Sequence, residues 1–184
     1  KRCHRELYRQ VRGPGYLFWV FHVLRDYVQL LGQEPDPDNA TLARFAKIAG
    51  ELEAASGEPL ICICHADLLA ANFIDDGTRL WLIDWEYGGF GNAWFDIGNM
   101  AAISGFEQAD EARLLELYLE SAPTANDWRR FDALRCAANL REALWAMVSE
   151  QHLALDIDYA AYTAEQLAGF EKAYAVYRER YGPG

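Results

Sequence analysis

Apolar residues recur every three or four positions over most of the chain, which is the spacing of one buried face of an α-helix. Glycine and proline interrupt this pattern at points where helices can end. The sequence therefore predicts a mostly helical fold, with helices from Leu17 to a Gly32 cap, from about Leu42 to near Gly57, and over 107–120, 126–153 and 163–181.

Two of these helices carry start signals. Asn39 begins a triplet that matches a glycosylation site, but it is better interpreted as the N-cap of the second helix, because asparagine is a favoured capping residue. Thr163 followed by Gln166 has the spacing of a capping box, which places the start of the last helix at Thr163. Gly182 is expected to end that helix.

The strand signals are short. Residues 72–74 and 79–83 flank the turn-forming sequence 75–78, which predicts a β-hairpin. Cys62 and Cys64 alternate within an apolar run, as buried thiols of a strand would. We therefore expect an α+β fold in which a helical bundle carries a short hairpin.

Length and composition indicate a globular domain. The 184 residues are 52% hydrophobic, which is enough to bury a core for one domain or two small subdomains. A net charge of −11 opposes nucleic-acid binding and is compatible with a cationic substrate. The longest apolar stretch, 16–23, is too short to span a membrane.

The cysteines and the first residue bear on the cellular setting. The four cysteines show no CxxC spacing, which favours a reducing, cytoplasmic location. A zinc site formed by Cys62, Cys64 and His65 is disfavoured, because neighbouring strand residues point to opposite faces. The chain starts at Lys1 without a signal-peptide pattern, so we expect it to be part of a longer protein.

Polar residues cluster beside the predicted hairpin. Phosphoryl transfer needs a carboxylate facing the acceptor hydroxyl and oxygen ligands for the Mg²⁺ on the phosphates. Asp67, with Asn72 five residues later, has the spacing that supplies both groups from one loop. Asp84 ends the second hairpin strand, so Asp67 is the candidate base, and Asn72 and Asp84 are candidate Mg²⁺ ligands. His65 is expected to orient the loop through hydrogen bonds.

These segments resemble the signature motifs of the choline/ethanolamine kinase family, within the wider aminoglycoside phosphotransferase group. The family patterns are His-x-Asp-(x)4-Asn, Ile-Asp-aromatic-Glu-Tyr and Phe-Asp-Ile-(Gly/Ala)-Asn, and they are met by residues 65–72, 83–87 and 95–99. The resemblance implies the C-terminal lobe of a protein-kinase-like fold, in which the hairpin carries the catalytic and metal loops. It also implies ATP as the phosphoryl donor and Mg²⁺ as the cofactor.

The resemblance further implies a role for each motif residue. Asp67 would be the catalytic base, assisted by His65, and Asn72 and Asp84 would bind Mg²⁺. Asp96 would be the buried carboxylate that holds the catalytic loop by its backbone amides. Glu86, which follows the metal-binding segment, is expected to contact the substrate.

The helix predicted over 126–153 carries candidates for the acceptor pocket. Glu142 lies on its apolar stripe near Trp145, so it either pairs with an arginine such as Arg141 or lines a cavity. An aromatic face beside a carboxylate is a way to hold an ammonium group. In the family, aromatic residues on this helix and the loop after it form an ammonium cage, and Trp145, Tyr159 and Tyr162 match cage or neighbouring positions.

The cage is incomplete in this sequence. Glu142 stands where the family has a second tryptophan, and Ile157 stands in place of a phenylalanine. We expect choline as the acceptor, while the added carboxylate keeps ethanolamine, thiamine or another amino alcohol open. An aminoglycoside or macrolide phosphotransferase and a non-catalytic ligand-binding pseudokinase are the rival interpretations.

The sequence also lacks parts that kinases of this type carry. No Gly-rich phosphate loop and no strand lysine with a partnering glutamate precede the motifs. We therefore expect residues 1–184 to be a C-terminal catalytic lobe without its N-terminal ATP-binding lobe, and to be nearly inactive alone. The expected partners are ATP and a small alcohol, without nucleic acid, and a homodimer is compatible with the sequence.

Overall fold

The computed structural model describes residues 1–152 and 159–182, and the side chains of 1–150 and 160–182. Most of the described chain is helical, as the apolar periodicity predicts. The helices are α1 Arg2–Glu6, α2 Val20–Leu31, α3 Asn39–Ser56, α4 Ala93–Ile103, α5 Gln108–Leu119, α6 Ala125–His152 and α7 Tyr159–Tyr181, with 3₁₀ turns at Leu7–Arg9 and Ala70–Asn72.

Four short strands form two antiparallel pairs. The predicted hairpin is present as β2, Phe73–Asp75, and β3, Leu80–Leu82. Strand β1, Ile61–Cys64, pairs instead with β4, Gly89–Asn92, and Cys62 lies opposite Gly91. The predicted α+β fold is confirmed, with a second small sheet that the sequence analysis did not include.

Helix α6 lies at the centre of the core. It packs against α2, α3, α4 and α7. Its side chains are buried on several sides, from Phe131 through Leu140 to Leu144. A helix that is surrounded by others needs no single apolar stripe, and it can supply side chains to more than one neighbouring surface. This position allows α6 to reach the loops that follow β1.

Both predicted helix-start signals are wrong. The N-cap of α3 is Asp38, whose Oδ1 accepts a hydrogen bond from the Thr41 amide at 3.1 Å, and Asn39 is already helical. Thr163 lies inside α7, which is already helical at Tyr159. Its side chain faces the core, and only 8% of Thr163 is exposed. A threonine on the inner face of a helix resembles a cap in sequence because both positions precede an apolar run.

The sequence analysis missed strand β4 and helix α4, because β4 contains two glycines and α4 contains the polar residues of the 95–99 motif. The backbone at 16–18 runs beside β4, since Phe18 N donates to Phe90 O and Phe90 N donates to Tyr16 O, each at 2.7 Å. A Cβ atom at Gly89 would lie 2.6 Å from the Tyr16 carbonyl oxygen, so this close approach requires glycine. The same extended segment delays the start of α2 to Val20.

The crossing of α4 and α6 depends on Gly98. A Cβ atom there would lie 2.8 Å from the Arg135 nitrogen, in the α6 backbone. Gly98→Ala is therefore expected to push the helices apart and to lower the free energy of unfolding by about 1–3 kcal/mol, measured by urea denaturation. Gly50→Ala is the matched control, because a Cβ atom at Gly50 in α3 meets open space. The control should stabilise by about 0.4–1 kcal/mol, and equal effects of both changes would contradict the close crossing.

No helix in the described ranges 1–152 and 159–182 has the length and apolar character needed to cross a membrane. The cytoplasmic location and the homodimer considered in the sequence analysis stay predictions.

Candidate active site

The loop 65–69 follows β1 and is fastened to the start of α4. Asn92 caps α4, its side chain accepting from the Trp94 amide, and this cap places Asp96 in the first helical turn. The Asp96 carboxylate, only 2% exposed, accepts hydrogen bonds from the His65 amide at 2.9 Å and the Ala66 amide at 2.8 Å. Asp96 thus fixes the backbone just before Asp67.

The same helix holds the loop a second time. Asn99 Oδ1 accepts from the Leu68 amide at 2.9 Å. Ala66 adopts a left-handed backbone conformation, with φ of 65°. Such a conformation at a residue with a Cβ costs about 1–3 kcal/mol and persists where the surroundings determine it, often at functional sites. The hydrogen bonds that Asp96 and Asn99 accept from the backbone around Ala66 provide such surroundings.

His65 connects the loop to the end of the hairpin. Its ring is buried and lies 4.8 Å from the Trp85 ring, edge to face. With the proton on Nε2, the ring donates to the Ile83 carbonyl oxygen at 2.8 Å. The ring of His65 thus contacts Ile83 and Trp85 at the end of the hairpin, and a positioning role for it stays a prediction.

Asn72 and Asp84 are brought together by the hairpin backbone. The Ile83 amide donates to the Asn72 carbonyl oxygen at 3.0 Å, so Asp84 emerges beside Asn72. Asn72 Nδ2 donates to the Asp67 carbonyl oxygen at 3.0 Å, which leaves its Oδ1 available as a ligand. Asp84 has a left-handed φ of 60°, is exposed, and makes no hydrogen bond or ion pair within the described residues.

These two oxygen donors fit a magnesium ion. Mg²⁺ prefers hard oxygen ligands and is commonly bound by one or two protein groups together with substrate phosphates. The carboxylate of Asp84 and the carboxamide oxygen of Asn72 form a donor set of this kind.

On its other side, Asp67 meets a buried arginine that the sequence analysis considered only as a partner for Glu142. Arg141 Nη1 lies 3.5 Å from Asp67 Oδ1, and only 5% of the Arg141 side chain is exposed. Its guanidinium also lies 5.2 Å from the Tyr87 ring centroid and 5.8 Å from that of Phe18. The signal that could have identified it is its place on the inner face of α6, seven residues after Leu134.

Glu142 pairs with Arg141, which is the first of the two possibilities that the sequence analysis left open. Its Oε1 lies 3.0 Å from Arg141 Nη1, and the same oxygen is buried without a well-formed hydrogen bond among the described residues. Burial raises the pKa of Glu142; Arg141 opposes this rise and Asp67 adds to it. Glu142 therefore belongs to a compact group with Asp67 and Arg141.

An aromatic pair adjoins this group. The Trp145 and Tyr162 rings meet edge to face at 6.2 Å. Burial raises the pKa of Tyr162, and the charge of the nearby Glu142 carboxylate raises it further. Glu86 is exposed on the loop after β3. The side chain of Tyr159 and all of Ile157 lie outside the described residues.

The raised pKa of Glu142 predicts how stability changes with pH. A group whose pKa is higher in the folded state favours folding in its protonated form, and this contribution is lost as the pH rises through the folded-state pKa. Glu142→Gln is permanently neutral, so we expect it to melt higher than the wild type at pH 7. The difference in melting temperature should disappear as the pH falls below 4.5, the ordinary pKa of glutamate.

Melting temperatures measured from pH 3 to pH 8 would test this expectation. Glu150→Gln is the matched control, because Glu150 is an exposed residue of the same helix. A melting difference between Glu142→Gln and wild type that does not vary with pH would contradict the assigned environment.

Comparisons with known proteins match most of the chain. Residues 10–133 match the family profile described as choline/ethanolamine kinase. Ethanolamine kinase 2 of Homo sapiens is 26% identical over 175 residues, which cover 81% of this chain and 45% of that protein. The chain spans about half the length of the curated relatives it matches.

Solved structures share the fold. The crystal structure of a choline/ethanolamine kinase family protein from Mesorhizobium loti superposes with a TM-score of 0.80 at 21% identity, covering 100% of this chain and 63% of that one. Choline kinase LicA from Streptococcus pneumoniae superposes with a TM-score of 0.68 at 20% identity, covering 93% and 60% of the two chains. LicA in complex with AMP matches with a TM-score of 0.67 at 20% identity, covering 94% and 59%.

Proposed function

The chain belongs to the choline/ethanolamine kinase family, and on that premise we propose that it is the catalytic lobe of an ATP-dependent kinase that phosphorylates the hydroxyl of a small cationic alcohol. The observation that carries the proposal is the position of Asp67. Its backbone carbonyl is bonded to Asn72 on the side of the candidate metal ligands. Its carboxylate faces Arg141 on the side of Glu142 and the aromatic pair.

In this proposal each residue has a separate task. Asp67 accepts the proton of the acceptor hydroxyl and orients that oxygen toward the phosphate. Asn72 and Asp84 would hold Mg²⁺, which neutralises charge on the phosphates of ATP when it is bound. Asp96 and His65 keep the loop backbone in place, so that the carboxylate is positioned before the substrates arrive.

The acceptor is proposed from the groups around Glu142. The Trp145 and Tyr162 rings can hold an ammonium group against their faces, which supports choline, the acceptor expected from the sequence. A second candidate has its own support, because Glu142 Oε1 is buried and makes no well-formed hydrogen bond within the described residues, although Arg141 Nη1 lies 3.0 Å away. A primary ammonium can donate to this oxygen and a quaternary ammonium cannot, so Glu142 favours an alcohol such as ethanolamine.

The test is ATP-dependent phosphorylation by the complete product of the gene, with Mg²⁺ and a panel of choline, ethanolamine, thiamine and an aminoglycoside. We expect turnover of choline or ethanolamine. Glu142→Gln should lower kcat/KM for ethanolamine by at least about 10-fold more than for choline if the carboxylate accepts from the ammonium, since hydrogen bonds to charged groups contribute about 1.5–3 kcal/mol.

Other outcomes separate the rival functions. Turnover of the aminoglycoside alone would assign the chain to the antibiotic phosphotransferases. Absence of turnover across the panel, with choline or ethanolamine still raising the melting temperature, would replace the kinase proposal with a ligand-binding role.

A further inference from the structure

Behind the 65–69 loop, three metal-binding side chains converge at a place that the kinase proposal does not use. Cys62 and Cys64 are two residues apart on β1, so their thiols lie on one face of the strand, with the sulfurs 3.6 Å apart. His4 of α1 approaches the same face, and a ring nitrogen and the two sulfurs all lie within 4.8 Å of one another. His65 points elsewhere, as the strand alternation predicts.

We propose that His4, Cys62 and Cys64 form a binding site for a thiophilic metal ion, with Zn²⁺ the best match. Two sulfurs bound to zinc at about 2.3 Å in tetrahedral geometry are about 3.8 Å apart, close to the separation already present. Two sulfurs and one imidazole are the ligand types that zinc prefers over magnesium or calcium. Each thiol releases its proton to solvent as its metal–sulfur bond forms.

A hydrogen bond that would orient His4 for a metal ion is already present. His4 Nε2 lies 2.9 Å from Asp96 Oδ2, which is the carboxylate–histidine arrangement that orients metal-binding imidazoles. With Nε2 donating to Asp96, Nδ1 carries the lone pair. The Tyr118 hydroxyl now occupies that lone pair at 2.9 Å, and an ion bound to Nδ1 would take its place.

Solvent reaches the site through a cavity of about 530 Å³. His4, Cys62 and Tyr118 line it together with Tyr8 and Phe90. An ion can therefore enter without unfolding of β1. The lining also contains the apolar Leu60 and Ile61 at the edge of β1 and the basic Lys1 and Arg5.

Two hydrogen bonds through Asp96 connect the site to the 65–69 loop. Asp96 Oδ2 accepts from His4 and from the His65 amide, so a single oxygen joins the two regions. A bound ion would fix His4 in its present orientation and hold α1 against β1. The metal site would thereby secure the carboxylate that positions the backbone before Asp67.

Cadmium binding tests the site directly, since cadmium thiolates absorb in the near ultraviolet. The chain is prepared with Cys3→Ser and Cys136→Ser, which leaves only the two thiols of the site. Titration with Cd²⁺ is expected to give one equivalent of charge-transfer absorption, and Zn²⁺ should displace it. His4→Gln and Cys64→Ser should each weaken binding by at least about 100-fold, because loss of an outer-shell partner alone costs about 10- to 100-fold.

His22→Gln is the matched control, because His22 is exposed on α2, and it should leave binding unchanged. Circular dichroism checks that each variant is folded. If Cys64→Ser does not fold, His4→Gln carries the test, since His4 lies on the short first helix outside the main core. Absence of the absorption, or unchanged affinity in His4→Gln, would overturn the proposal. The readout is metal binding, so it is independent of kinase activity.

Discussion

Replacing Asp67 with Asn in the complete gene product is expected to lower kcat by about 10²–10⁴-fold, the usual contribution of a positioned base. The amide keeps the shape of the side chain but cannot accept the proton of the acceptor hydroxyl. The fold should be preserved, because asparagine fills the same space as Asp67 beside Arg141, whose Nη1 lies 3.5 Å from Asp67 Oδ1. Steady-state kinetics together with a melting curve would measure both effects.

Asp75→Asn is the control for that experiment. Asp75 is the exposed last residue of β2, and its Oδ1 accepts from the Gly77 amide, which an asparagine oxygen can also do. The control should leave kcat within about 2-fold of wild type, as expected for surface changes away from special features. Retention of wild-type turnover by Asp67→Asn would remove Asp67 from the proposed mechanism.

Replacing Arg135 with Met is expected to destabilise the fold by about 3–5 kcal/mol, because it leaves a buried acid without its counter-charge. Arg135 Nη1 lies 2.6 Å from Glu111 Oε1, and only 2% of the Glu111 side chain is exposed. Burial raises the pKa of Glu111 even in the presence of Arg135. Urea denaturation at pH 7 would measure the loss.

The pH dependence of this loss provides a further check. Protonated Glu111 is favoured in the folded state, so the deficit of Arg135→Met should shrink as the pH falls toward 4.5, the ordinary pKa of glutamate. Arg44→Met is the control, because Arg44 forms an exposed ion pair with Glu171. Such pairs contribute about 0–1 kcal/mol, and equal losses in the two variants would contradict the buried network.

The elements that the sequence predicted correctly are those whose formation depends on local sequence pattern. The hairpin followed from its turn residues, and α5 and α6 followed from apolar periodicity to within a residue or two. Strand β4 was missed because two of its four residues are glycines that serve a close backbone approach. Its formation depends on β1 and on the segment 16–18, which local sequence does not reveal.

The candidate site was predicted as a set of residues but not as a set of distances. The spacing of Asp67, Asn72 and Asp84 selected them as candidates, and the structure places all three near one hairpin, while their roles stay predictions. Arg141 was undervalued because an arginine is ordinarily exposed, and its burial depends on the central position of α6. His4 could not be joined to Cys62 from sequence, because the contact closes a separation of 58 residues.

The position of Arg141 determines the net charge of the proposed acceptor site. Two carboxylates, Asp67 and Glu142, share this one guanidinium, so the group carries a formal charge of −1. A single ammonium completes the balance, which avoids burying an uncompensated charge. A polyamine or an aminoglycoside would reverse the sign, and a neutral polyol would leave one acid unmatched. Under the proposed function, we therefore expect Arg141 to favour acceptors that carry one positive charge.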